Sequence, residues 1–161
     1  MNRLLPLDVR GSDLDIHLTL LSLQIPPSGL APIFTLLTSL HIVFCDNPNS
    51  LRDIQHVFPR LKRLAVSARS ATLLPLVEFL YAIGLVSLEM TVVVFRPNGG
   101  QADELRDARE VWAGSRLYFL ESSMDWADQR RAWEAEVRGG ESIWDRAVAY
   151  TATLSADAVR T

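Results

Sequence analysis

Apolar and other positions alternate in short bursts that return at a fixed spacing. Leu37-x-x-Leu40-x-Ile42, Leu61-x-x-Leu64-x-Val66 and Leu85-x-x-Leu88-x-Met90 follow one another at steps of 24 residues. The last four positions of each copy alternate as a strand with one buried face does. A unit this short cannot bury its own apolar side, so neighbouring copies must stack and share a continuous core. Upstream, Leu20-x-x-Leu23-x-Ile25 fits the same template after the alternating Leu14, Ile16, Leu18 and Leu20. Downstream, Arg116 to Leu120 resembles its second half. The pattern predicts an α/β solenoid with a parallel sheet of about five strands.

Between the strands the period changes to that of a helix. Leu51, Ile54, Val57 and Phe58 make a helical stripe that Pro59 ends, and the apolar run from Ser70 to Ile83 stops at Gly84, a usual helix terminator. That second helix is expected to be buried on most sides. A third, led by Asp103 and Glu104, sets Leu105, Ala108, Val111 and Trp112 on one face and closes at Gly114. Helices placed this way cover the convex side of the sheet.

Past residue 100 the surface changes character, because twelve of the nineteen acids and the tryptophans Trp112, Trp126, Trp133 and Trp144 fall there. Two helices are predicted, from Met124 to Arg138 and from Glu141 to Val159, with Gly139 and Gly140 between them. One stripe carries Trp126, Ala127, Arg130 and Trp133, the other Ile143, Trp144, Ala147 and Val148. The last strand of a solenoid exposes an apolar end, so residues 1–123 are read as the solenoid and 124–161 as a helical cap packed on the same domain.

The copy Leu37-x-x-Leu40-x-Ile42-x-x-Cys45 matches the leucine-rich-repeat signature, and the chain resembles a degenerate leucine-rich-repeat protein over roughly residues 14–120. The phrase from Phe58 and Pro59 to Leu61 and Leu64 is similar to the repeats of F-box proteins, especially the divergent fungal ones. At the Asn/Cys position the other copies carry Ser28, Arg69 and Val93, so a bonded ladder there is not expected. The resemblance implies substrate recognition in ubiquitin-dependent turnover. Met1 to Arg10 is too short to supply F-box helices, so no adaptor contact is expected from that stretch.

Composition narrows the partner. A net charge of -3 provides no basic field for a phosphate backbone, and nucleic acid is not expected. Ile16 to Cys45 holds no charged residue, yet Pro26, Pro27, Gly29 and Pro32 break it up, so no membrane span is expected. One cysteine forms no internal disulfide, and the opening residues do not read as a signal peptide, so an intracellular place, cytoplasmic or nuclear, is expected. One Cys and three scattered His give no zinc spacing, and no glycine-rich phosphate loop is present, so neither metal nor cofactor is expected.

The repeat phase assigns two outward ladders on the concave face. One is Ser22, Ser39, Arg63, Ser87 and Arg116; the other is Gln24, His41, Ala65, Glu89 and Tyr118. These residues predict a hydrophilic, water-facing wall. The expected function is a non-enzymatic protein-interaction module whose partner lies on that wall, with His41, Arg63, Glu89, Arg116 and Tyr118 as contacts, since Tyr and Arg anchor interfaces. The alternative is a small intracellular hydrolase using Cys45 with His41 or His56, Asp46 orienting the base.

Overall fold

The computed structural model describes residues 16–22, 32–45, 48–67, 73–96, 105, 107, 108, 111, 115–123 and 125–158. Five strands, β1 (His17–Ser22), β2 (Ser39–Phe44), β3 (Arg63–Ser67), β4 (Met90–Phe95) and β5 (Leu117–Glu121), form one sheet in the order β1-β2-β3-β4-β5. Every neighbouring pair is parallel and follows chain order, and the sheet is not closed into a barrel. The connections hold α1 (Ile54–Val57), α2 (Leu73–Ala82) and 3-10 turns at Pro32–Leu36, Pro48–Leu51 and Leu85–Ser87. Leu105, Asp107, Ala108 and Val111 are also helical. Two longer helices, α3 (Trp126–Val137) and α4 (Ile143–Ala158), complete the chain.

Pairing sets one face by register. Leu18, Leu40, Leu64, Thr91 and Leu117 lie side by side across the sheet, at sequence steps of 22, 24, 27 and 26. The 24-residue period therefore holds for β2 and β3 and slips elsewhere. In β4 the strand is not Leu88 to Met90 but the run Met90–Phe95, three residues further on. Gly84, at φ +75°, ends α2 in the left-handed region, and the 3-10 turn that follows absorbs Leu85 to Ser87. Thr91 takes the place that Leu40 and Leu64 hold in their strands. Its hydroxyl is wholly buried and donates 2.8 Å to Leu85 O, tying the turn to the strand. In β1 the template is also displaced: Leu18 pairs with Leu40, and Ser22 with Phe44 instead of Ser39. Leu14, Leu23, Gln24, Ile25, Ser28, Asp46, Arg69, Asp103, Trp112, Gly114 and Val159 lie outside the described residues.

The first face carries the main core, where Leu40, Ile42, Leu64, Val66, Val93, Phe95, Leu117 and Phe119 meet Leu51, Ile54, Leu76, Val77 and Leu80 of the connections. The helical stripe predicted from Leu51 to Phe58 is buried, although a 3-10 turn and one turn of α-helix build it. α2 buries one side only, since Glu78 and Tyr81 face solvent. Leu105 and Ala108 join the core as expected, but Val111 is exposed.

The second face departs most from the expectation. Ala65, Met90, Val92, Val94 and Leu120 form a separate apolar cluster with Ile143, Trp144 and Ala147 of α4. The ladders there read His17, Ser39, Arg63, Met90 and Thr19, His41, Ala65, Val92, Tyr118, so Ser87 and Glu89 are absent from them. The physical reason lies in β4, which is β-branched and apolar on both sides, as a strand buried on two faces must be. The carboxyl-terminal helices consequently do more than close the end of the sheet; α4 lies across its second face. Its far half also runs beside β5, where the Thr151 hydroxyl accepts from Phe119 N at 2.8 Å and donates to Phe119 O at 3.2 Å. Among the described residues no helix is long and apolar enough to cross a membrane.

Candidate functional site

α3 begins at Asp125, whose carboxylate accepts from the amides of Ala127 and Asp128. It ends in a two-glycine turn. Gly139 sits at φ +86°, and a Cβ on Gly140 would stand 2.8 Å from Ala135 O, so both positions need glycine. Gly139 N and Gly140 N donate to Glu136 O and Ala135 O, which satisfies the last carbonyls of α3. Ser142 then starts α4: its hydroxyl accepts from Asp145 N and donates to the Asp145 carboxylate.

This turn leaves α3 above the second face without burying any of its described side chains. Between helix and sheet is a cleft of about 600 Å³. Val43, Val94 and Leu120, from the carboxyl halves of their strands, supply an apolar floor. His17, Thr19 and His41 line it from the sheet, Ile143 and Arg146 from α4, and Gln129, Arg130, Ala132, Trp133 and Glu136 of α3 form the roof.

Glu136 organises the polar part. One carboxylate oxygen lies 3.4 Å from His17 Nδ1, and the other accepts from Ile143 N at 3.2 Å, a carboxylate placed at the positive end of α4. Burial pushes its pKa up, but the bond and charge of His17, the Ile143 amide and the Arg146 charge outweigh that and hold it below the usual carboxylate range. The His17 ring rests on Trp144 with centroids 5.7 Å apart. Arg130 bonds Glu134 at 2.8 Å along α3. Arg146 is different: its Nε is buried and has no hydrogen-bond partner among the described residues.

His41 points to the same cleft with its Nε2 3.3 Å from Ser67 Oγ. Burial, then the charge of His17, lowers its pKa from 6.5 to about 4; Glu136 opposes and Arg146 assists. The ring is therefore neutral near pH 7. Between those two values the unfolded chain takes up a proton that the folded chain refuses, so stability falls as the pH drops through that window. Lowering the pH from 7 to 5 is expected to cost up to about 2 kcal/mol of folding stability. Urea unfolding at both pH values checks this, and in His41→Asn the difference should largely vanish. Glu136, depressed as well, loses its contribution only at still lower pH.

The five residues singled out from the repeat phase are not brought together. His41 lines the cleft, and Tyr118 packs against the second cluster at its rim. Arg63 is half-buried on the amino-terminal ladder, Arg116 is exposed just before β5, and Glu89 precedes β4 with Lys62 3.8 Å away across solvent. Cys45 packs against the first core, on the side of the sheet away from His41, and His56 is exposed on α1. His17, Glu136 and Arg146, the most closely grouped charges of the cleft, were not legible in the repeat phase, for they meet only once α3 and α4 fold back. Among the described residues no group of three or more His, Cys, Asp or Glu could hold a metal ion.

No family model, curated protein or solved structure matches the chain. The functional reading rests on the cleft itself.

Proposed function

We propose that the chain is a short leucine-rich-repeat-like solenoid acting as a non-enzymatic protein-interaction module, and that its partner enters the cleft under α3. Parallel strands that neighbour one another in chain order, at steps of 22 to 27 residues, support the solenoid part. The observation that carries the binding part is the 600 Å³ cleft on the second face, with an apolar floor and a few polar groups gathered around Glu136. Pockets of roughly 300–1,000 Å³ built this way are the usual form of a recognition site. Because α4 covers the middle of that face, a partner reaches it through the cleft and not along an open wall. The likeness of the repeats to those of F-box proteins adds a role in ubiquitin-dependent turnover to this proposal.

Panning a random peptide library against the chain tests it. Enriched peptides should lose binding to Ala132→Trp, which fills the cleft from its roof. No enrichment, or peptides indifferent to that substitution, would remove the cleft as the partner's entry.

A further inference from the structure

Within the cleft the charged groups are held by hydrogen bonds, with one exception. Glu136 is held by His17 and the Ile143 amide, Arg130 by Glu134, and His41 is neutral against Ser67. Arg146 lines the cleft with its Nε–H buried and without an acceptor among the described residues, and it acts on the nearby Glu136 through charge. A buried donor without an acceptor destabilises the fold unless something brings one. We propose that the cleft captures the carboxyl terminus of a partner polypeptide ending in an apolar residue, with Arg146 as the counter-ion of its terminal carboxylate. This rests on the protein-binding reading above.

The chemistry selects this occupant in two steps. A guanidinium presents a planar fork that matches a carboxylate, and the ionised Glu136 nearby opposes the double charge of a phosphate. A terminal residue then carries its carboxylate and its apolar side chain on one Cα, so the charge meets Arg146 while the side chain covers Val43, Val94 and Leu120. An internal Asp or Glu would instead drag two flanking peptide groups into the cleft, where the apolar floor offers them no partner. Capture of a terminal carboxylate is an established mode of peptide recognition.

A fluorescein-labelled hexapeptide ending in valyl-leucine, as free acid and as carboxyl-terminal amide, provides the probe, read by polarisation with the full chain. The acid should bind at least about tenfold more tightly than the amide, the scale of a hydrogen-bonded charge. In Arg146→Met that preference should vanish. Should Arg146→Met fail to fold, the Arg146 Nε–H resonance of the unaltered protein replaces it, shifting with the acid and not with the amide. Equal binding of acid and amide, both blocked by Ala132→Trp, would overturn the carboxylate assignment and leave the cleft reading standing. Absence of any peptide binding overturns the assignment too, with the library experiment judging the cleft separately. Octanoate displacing the peptide at concentrations as low as the peptide's own Kd would overturn the choice of a polypeptide in favour of a free acid.

Discussion

Ala65→Arg is expected to destabilise the protein by about 3–5 kcal/mol, the range for a buried charge left without a partner. Ala65 lies at the centre of the second face with no exposed surface, against the cluster that includes Trp144 and Ala147. A guanidinium there has no room beneath α4 and no anion within the cluster to meet. Two outcomes are open to the chain, global unfolding at lower urea or release of α4 from the sheet. Urea unfolding followed by circular dichroism measures the first, and proteolysis near residue 140 the second. On an open hydrophilic wall the same substitution would be nearly neutral, so unchanged stability would show that α4 does not cover this face.

The second large effect is expected at Trp144, which is buried, packs in the same cluster and carries the His17 ring on its surface. Trp144→Ala removes a large aromatic from the contact between α4 and the sheet, a loss of about 3–5 kcal/mol. Because His17 and Glu136 are bonded to each other and Glu136 in turn to the start of α4, the substitution also loosens the wall and roof of the cleft. Peptide binding should therefore weaken at urea concentrations where the sheet is still folded. A variant as stable as the parent would place the holding energy of α4 elsewhere. By contrast Trp133 is half-exposed at the cleft mouth, and its removal should leave stability nearly unchanged.

The repeat spacing made β2 and β3 legible because Leu40, Ile42, Leu64 and Val66 obey both the template and the alternation of a strand. β4 broke the match for a physical reason visible in its residues. Leu85 and Leu88 satisfy the template, but Met90 to Phe95 is a longer β-branched run, and it took the strand position while the two leucines became a turn that still reaches the core. That same run carried the signal that the second face is covered, since no polar residue other than Thr91 interrupts it. The stripe of Ile143, Trp144 and Ala147 named the covering helix. What the sequence could not supply is the distance in space between His17, Glu136 and Arg146, which lie over a hundred residues apart at the extremes and are joined only by tertiary folding. Phase alone put His41 on the face that carries the cleft, though as part of an open hydrophilic wall. Its neutrality follows from neighbours that phase does not reveal.

The hydroxyl of Thr151 occupies both outward-facing main-chain groups of Phe119. A sixth strand joining beyond β5 would require those two groups, so the molecule refuses end-on polymerisation and fibre-like growth on that flank. Lengthening by gene duplication would first have to displace the threonine, which makes one side chain the stop that limits the array there.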